Sequence, residues 1–363
     1  MAPRLHAAPS RRGSVSTKLV QLGTPVWPRH EVPESGDMRD GFGRRIEYLR
    51  ISVTDKCNLR CVYCMPEEGL PWLRKDQLLS YEEIARIVRE MAPMGLRKLR
   101  ITGGEPLVRR DLAKLVRMLR SIDGIEDIAL STNAVLLADS AEALRAAGVN
   151  RLNVSLDSLI PERIDAIARR PGSAEKIFEG LEAAERAGFA PIKVNCVVMR
   201  GRNDDEVEAF AQISRERPWH IRFIEVMPTG DNLQVQSEEF VSADELIARI
   251  RRIGEISAVE GPQGNGPARY FAFQDAPGTI GVITPMSHNY CDRCNRMRLT
   301  ADGQLRPCLF GSIQTNLRDP LRRGEPIEPL VRETLRIKPE RHWLAHGTDA
   351  GSGGLLALSQ VGG

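Results

Sequence analysis

Three cysteines, Cys57, Cys61 and Cys64, stand four and three residues apart in Cys57-Asn58-Leu59-Arg60-Cys61-Val62-Tyr63-Cys64. They follow an apolar segment, Leu49–Val53, that reads as a strand. Soft thiolates select zinc, copper(I) or iron–sulfur clusters. A 4Fe–4S cube takes one cysteine per iron, so three close cysteines leave one iron open to a small molecule. The spacing alone also allows a three-cysteine zinc site completed by a histidine. A second triad repeats the arrangement: Cys291-Asp292-Arg293-Cys294, with Cys308 further on. Here a structural zinc completed by His288 competes with a second cluster whose open iron would bind a substrate nitrogen or oxygen. The seventh cysteine, Cys196, lies in the apolar run Val194–Met199 and reads as a core residue.

Other chemistry-bearing residues fall at the ends of strand-like segments. Thr102-Gly103-Gly104-Glu105-Pro106 joins two glycines, which let a backbone approach a ligand closely, to a proline that restrains the turn. Ser131-Thr132-Asn133, Asn153-Val154-Ser155-Leu156-Asp157, Lys193, Glu225 and Met227 follow in the same relative position. Taken singly, each is more often a satisfied polar group at a rim; their shared location is what raises the odds of function. Arg296 and Arg298 alternate with Asn295 and Met297, and an extended segment points alternate residues to one side. Guanidinium suits bidentate phosphate contacts, so that side would meet a polyphosphate; a solvated basic face is the plainer alternative. The chain ends in Ser359-Gln360-Val361-Gly362-Gly363, either a frayed end or a tail slim enough to thread a narrow pocket.

The elements that must position these groups alternate regularly from Arg44 onward. Strands are expected at Leu49–Val53, Lys98–Thr102, Asp127–Leu130, Arg151–Ser155, Ile192–Val198 and His220–Val226, most of them apolar on both faces as in a helix-covered parallel sheet. Between them, Ser80 and Glu83 form a capping box ahead of Ile84, Ile87, Val88 and Met91, and Leu112, Leu115, Val116 and Leu119 make the next stripe. Ala141–Ala147 and Ser173–Ala187 end at Gly148 and Gly188, as C′ glycines do. Asp204–Ile213 and Ser242–Ile253 follow, the latter opened by a second capping box from Ser242 to Glu245. Such βα units predict an α/β barrel or partial barrel, with chemistry at the C-terminal strand ends. Beyond Ile256 the alternation fades, although Tyr270–Phe273 and Thr279–Ile283 still read as strands. The expected division is a disordered extension over 1–43, a barrel over 44–255 and a C-terminal region over 256–363.

The totals set outer bounds. The chain has 363 residues, a net charge of +3 and seven cysteines grouped by threes. That charge gives no argument for nucleic acid. No apolar run approaches the roughly 18 residues of a membrane span. The cysteine grouping suggests metal in a reducing compartment rather than a disulfide framework. The first acidic residue is Glu31, so the Arg- and Ser-containing opening reads either as a mitochondrial transit peptide or as a solvated bacterial N-terminus.

CxxxCxxC with an aromatic before its last cysteine, followed by Gly-Gly-Glu-Pro, resembles the radical S-adenosylmethionine (SAM) enzymes. Both triads, Thr-Gly-Gly-Glu-Pro, Asn-Val-Ser-Leu-Asp, Ile-Arg-Phe-Ile-Glu, Cys-Asp-Arg-Cys-Asn-Arg-Met-Arg-Leu, Lys338-Pro339-Glu340-Arg341-His342 and the Gly-Gly end narrow the resemblance to the GTP 3′,8-cyclase family, over Gly43 to Gly363. The resemblance implies a partial (β/α)6 TIM-like barrel with a smaller cluster-binding region. It implies a radical SAM lyase that turns GTP into 3′,8-cyclo-7,8-dihydro-GTP at the start of molybdenum cofactor biosynthesis. Cys57, Cys61 and Cys64 would hold the 4Fe–4S cluster that binds and cleaves SAM. Cys291, Cys294 and Cys308 would hold a second one that grips the purine. Tyr63, Gly104, Ser155 and Met227 match SAM-contacting positions; Arg50, Arg100, Ser131, Lys193, Arg296, Met297 and Arg298 match GTP-contacting ones; Arg298, Gly362 and Gly363 would assist catalysis.

The implied partners are GTP, a low-potential donor such as flavodoxin or ferredoxin, cyclic pyranopterin monophosphate synthase downstream and a second copy in a homodimer, with neither nucleic acid nor membrane. The implied location is the cytoplasm, or the mitochondrial matrix if the N-terminus is a transit peptide. Ser131 and Ala134 depart from the family's usual threonine and glycine. A two-cluster radical SAM enzyme acting on a peptide or other substrate, and a zinc-stabilised binding protein, are the alternatives.

Overall fold

The computed structural model describes residues 28–227, 238–262, 266–311, 313–342 and 357–362. Six strands set the frame: β1 (Tyr48–Ser52), β2 (Lys98–Thr102), β3 (Asp127–Thr132), β4 (Arg151–Ser155), β5 (Ile192–Val198) and β6 (His220–Glu225). Side chains alternate across a strand. Leu49 and Ile51, Leu99 and Ile101, Ile128 and Leu130, Leu152 and Val154, Val194 and Cys196, and Ile221 and Phe223 share the helix-covered core and are almost fully buried. Alternate residues face the other way: Arg50, Arg100, Ser131, Ser155, Asn195 and Arg222 line an interior cavity. The expectation of strands apolar on both faces is corrected here. The helix-facing side is mostly apolar, whereas the inner side mixes charged and polar groups with Val197 and Ile224, because it lines a cavity.

The helices cover the outside. In α1 (Tyr81–Met91) the Ser80 hydroxyl accepts from the Glu83 N–H at 3.0 Å, the Ser80 N–H donates to the Glu83 carboxylate at 2.7 Å, and Ile84, Ile87, Val88 and Met91 are buried. In α2 (Leu112–Arg120) the buried stripe is Leu112, Leu115, Val116 and Leu119. Helix α3 (Ala141–Ala147) ends at Gly148 with φ +109°, the left-handed turn that favours glycine. A short helix, α4 (Pro161–Ala168), was not foreseen; it precedes α5 (Ser173–Arg186) and α6 (Val207–Glu216). At α7 (Ala243–Ile250) the Ser242 hydroxyl caps the Glu245 N–H at 3.3 Å. The Glu245 carboxylate turns to Arg200 and Arg249, so the expected second box is only half formed.

The C-terminal region does not stand apart. Strands β7 (Ile256–Val259), β8 (Arg269–Phe273) and β9 (Thr279–Ile283) continue the sheet beyond β6, with β9 parallel to it. Strands β10 (Arg296–Leu299), β11 (Gln304–Arg306) and β12 (Thr315–Asn316) continue it beyond β1, with β10 parallel to it. The result is one 12-stranded sheet in the order β12-β11-β10-β1-β2-β3-β4-β5-β6-β9-β8-β7. Among the described residues its two ends do not pair, so the curved sheet is a partial barrel. Helices α8 (Arg318–Arg322), α9 (Glu328–Arg336) and α10 (Leu358–Val361) complete the chain.

The expected disorder of residues 1–43 does not hold for its last part. Met38 is fully buried and its N–H donates to the Met94 carbonyl. The buried Arg332 of α9 donates to the carbonyls of Pro33 and Gly36. A buried guanidinium needs such acceptors, and they tie this segment down. Residues 1–27 lie outside the described residues.

Candidate active site

The loop after β1 carries the first triad, and the elements around it hold its backbone. The Arg60 and Val62 N–H groups donate to the last carbonyls of α4, Ala168 and Ile167, at 2.9 and 3.0 Å. The Arg60 guanidinium donates to the Cys57 and Leu59 carbonyls and lies over the Trp72 ring. Asn133 donates to Asn58 at 2.8 Å. The N–H groups of Gly104 and Glu105 donate to the carbonyls of Thr54 and Lys56. A Cβ on Gly104 would stand 2.4 Å from the Lys56 carbonyl oxygen, and one on Gly103 2.6 Å from that of Thr54. The close approach that needs these glycines is to the cysteine loop itself.

Glu105 anchors the same corner. Its carboxylate accepts from Leu107, Thr132 and Asn133, and burial raises it to about 7. Tyr63 donates to Asp157 at 2.9 Å, and Asp157 also accepts from the Val197 N–H. Burial pushes the Cys57 thiol up to about 11 and Cys64 up to about 12.

The second triad is built on the β10–β11 hairpin. Cys294 precedes β10 and Cys308 follows β11, and the two strands pair antiparallel. Both cysteines therefore emerge at the hairpin's open end. Cys291 sits one 3-10 turn earlier, where Arg44 donates to its carbonyl at 2.7 Å and also to Pro339 and Glu340. Burial alone would raise the Cys294 thiol; Lys338 and Arg296 overcome it and hold the thiol at about 7. His288 is not part of this group: its ring faces Asp244 at 3.1 Å.

The two triads face adjoining cavities. Cys57, Cys61 and Cys64 line the larger one; Cys291, Cys294 and Cys308 line the smaller; Tyr290, Arg296, Arg298 and Leu309 line both. Register explains the arginines, since Arg50 lies beside Arg298 on one side and Arg100 on the other. Burial, then Arg298 and Arg100, drive Arg50 well below its ordinary range. Burial lowers Arg222 and Arg298 to about 10. Like charges this close and this buried call for an anion. Tyr48 Oη and the Nε atoms of Arg100, Arg222 and Arg296 are buried in the cavity lining with no hydrogen-bond partner among the described residues.

Most expected site residues meet here. Tyr63, Gly104, Ser155 and Met227 line the larger cavity, as do Arg50, Arg100, Ser131, Arg296 and Arg298. Two do not. The Met297 side chain points into the helix-covered core, since it alternates with its two arginine neighbours. Lys193 is absent from the lining: it is buried on the inner face of β5, the face that carries Asn195, among Arg222, Arg151 and Arg100. Glu225 is also outside it: its carboxylate accepts from the N–H groups of Ala243, Met286 and Ser287 and anchors the loop before Cys291. Cys196 is a core residue, as expected. Sequence reasoning assigned no role to Arg222, Tyr48 or Asn195. The alternation in His220-Ile221-Arg222-Phe223 was the signal for the first of these.

The tail reaches the site. Leu358 and Ser359 line the larger cavity, and the Ser359 main chain approaches the Cys64 sulfur and offsets part of the rise that burial imposes on its thiol. Arg298 donates to the carbonyls of Val361 and Gly362. Gly362 has φ +72°, and a Cβ there would stand 2.7 Å from Thr102. Gly363 lies outside the described residues.

Both cysteine sets fit iron–sulfur clusters. Among the described residues, no three His, Cys, Asp or Glu side chains converge as a single-ion site requires. A cube takes its cysteines on separate irons, so its thiolates need only face one space.

Models of known families match in two segments: the Radical SAM superfamily over residues 51–213 and Molybdenum Cofactor Synthesis C over residues 219–344. GTP 3′,8-cyclase of Pelotomaculum thermopropionicum is 48% identical over 314 residues, covering 85% of this chain and 96% of that protein. GTP 3′,8-cyclase of Moorella thermoacetica is 44% identical over 329 residues, covering 90% of this chain and 100% of that one. Among solved structures, Streptococcus suis SuiB bound to S-adenosylmethionine is similar with a TM-score of 0.55 at 13% identity, over 76% of this chain and 65% of that one, a likeness of fold alone.

Proposed function

The chain belongs to the GTP 3′,8-cyclase family, and from that premise we propose how its residues divide the work. It is a radical SAM lyase that converts GTP to 3′,8-cyclo-7,8-dihydro-GTP, the first step of molybdenum cofactor biosynthesis. One observation carries the assignment of residues: two three-cysteine sets open onto adjoining cavities with buried arginines in their shared wall. When bound, a 4Fe–4S cluster with SAM supplies one-electron cleavage and hydrogen abstraction, and a second cluster supplies an open iron for the purine.

Cys57, Cys61 and Cys64 would hold the first cluster and Cys291, Cys294 and Cys308 the second. Tyr63, Gly104, Ser155 and Met227 flank the SAM position in this reading. Arg50, Arg100, Arg222, Arg296 and Arg298 meet the triphosphate, with Ser131 beside them, because charge-assisted bonds to phosphate oxygens offset their mutual repulsion. Lys193 supports that group from behind the lining, and the Met297 main chain is the part of that residue able to take part. The residues must also hold C3′ of the ribose against C8 of the guanine and keep water away. The tail, docked on Arg298, helps close the cavity, and Gly362 assists catalysis there in this reading, as Gly363 is also expected to do.

The reaction needs electrons from outside, which a low-potential flavodoxin or ferredoxin supplies, and cyclic pyranopterin monophosphate synthase takes the product. The bacterial relatives favour the cytoplasmic reading over the mitochondrial one. No helix among the described residues is long and apolar enough to cross a membrane. The test is anaerobic incubation of the reduced, reconstituted protein with GTP and SAM. The cyclised nucleotide should accumulate with 5′-deoxyadenosine; intact GTP would return the site to the peptide-modifying alternative.

A further inference from the structure

We propose that Lys338 is a positioning residue of the second three-cysteine site, which it both laces shut and makes electropositive. This rests on the reading that Cys291, Cys294 and Cys308 hold a cluster. Lys338 follows α9 and is almost completely buried, 2% exposed. Its ammonium donates to the Pro307 carbonyl at 2.7 Å, the Arg296 carbonyl at 3.1 Å and the Cys294 sulfur at 3.6 Å. A lysine has three N–H donors, and all three are used.

The acceptors are not a random set. Arg296 starts β10 just after Cys294, and Pro307 immediately precedes Cys308. The ammonium therefore bridges the two arms of the hairpin at the end where both cysteines emerge. A buried cation is costly unless its surroundings repay it. Two carbonyls and a thiol are modest repayment; a thiolate in place of the thiol makes the N–H···S contact charge-assisted. A cube with three thiolates carries net negative charge, so a fixed cation bonded to one ligand sulfur favours holding one more electron. Arg44 adds a second cation over the Cys291 carbonyl. The first site also has a cation on a ligand's carbonyl, Arg60 on that of Cys57, but its buried neighbours include the carboxyls of Asp157 and Glu105, and no lysine reaches its sulfurs among the described residues. The two sites are thus built to differ in reduction potential, with the second the easier to reduce.

The experiment is an anaerobic redox titration followed by EPR, with iron and sulfide analysis, on full-length protein and on the chain carrying Cys57→Ala, Cys61→Ala and Cys64→Ala, which isolates the second cluster. Lys338→Gln keeps donors for the carbonyls but removes the charge; Lys338→Arg keeps the charge. With Lys338→Gln the second cluster still assembles, and its ratio of reduced to oxidised form at fixed potential falls about tenfold, equivalent to about 59 mV for one electron. With Lys338→Arg the ratio stays near that of the parent, and the first cluster is unchanged in both. An unchanged ratio in Lys338→Gln, or an equal fall in Lys338→Arg, overturns the proposal. Loss of the second cluster in Lys338→Gln with retention at the parental potential in Lys338→Arg supports it; loss in both shows a role in packing alone and overturns it. Absence of iron from the triple-cysteine variant overturns the cluster assignment itself, and the role of Lys338 with it.

Discussion

Burial holds the Lys193 ammonium down to about 6, against an ordinary value of 10.5, with Arg222, Arg151 and Arg100 adding to the effect. Between those two values the unfolded chain binds a proton that the folded chain does not. Stability is therefore lost progressively as pH falls from about 10.5 to about 6, and no further below that. Lys193→Met removes this cost. Its apoprotein should melt at least about 2 °C above the parent at pH 7. The difference should shrink toward pH 10, where both chains hold a neutral side chain. Thermal melts across that range decide the matter, and a gain that ignores pH would leave only a packing effect. The same variant should bind GTP more weakly, because a triphosphate nearby favours the charged lysine. A residue of this kind is stabilising only when its ligand is present.

The first cluster loop is held by an element whose own core contribution is small. Helix α4 buries only Ile164, Ile167 and Ala168, yet its last two carbonyls receive the loop of the first triad. The two triads answer to separate supports, so their losses should separate. Cys57→Ala should abolish SAM cleavage. Cys291→Ala should keep slow, uncoupled cleavage to 5′-deoxyadenosine and lose cyclisation, as only substrate anchoring is damaged. Product from either variant in an anaerobic assay would contradict the division of roles.

The tail gives a third case. Gly362→Ala forces a side chain into a left-handed backbone and against Thr102. Iron content should stay at the parental level while cyclisation falls about tenfold to a hundredfold through misplacement of the tail. A parental rate would show the tail to be a bystander. Of these elements, strands with outward apolar positions, such as β2, β4 and β5, were legible to the residue. Helix α4 was not, because eight residues with three buried positions give little periodicity. The inward arginines were legible as charges but not as a belt, since register across neighbouring strands is a property of the sheet.

At the level of the whole molecule, the divisions expected at 43 and 255 follow the sequence but not the sheet. β1 is paired on one side by β10, and β6 by β9, so both edges of the six-stranded core are covered by the last hundred residues. These pairings join segments far apart along the chain, which local pattern cannot reveal. They also explain how the second triad comes to face the first: β10 lies beside β1, and the loops of both triads adjoin these two neighbouring strands. A chain cut to residues 44–255 would expose the backbone of β1 and β6 along with apolar residues that β9 and β10 now cover. Unpaired edges of this length template association between copies. The fragment should therefore aggregate on expression, whereas the chain from residue 28 onward should remain monodisperse or form a defined oligomer. Size-exclusion chromatography with circular dichroism compares them directly. A monomeric 44–255 fragment with a cooperative melt would mean that the core is complete without its flanking strands, and that the second site was added to a finished barrel rather than woven into it.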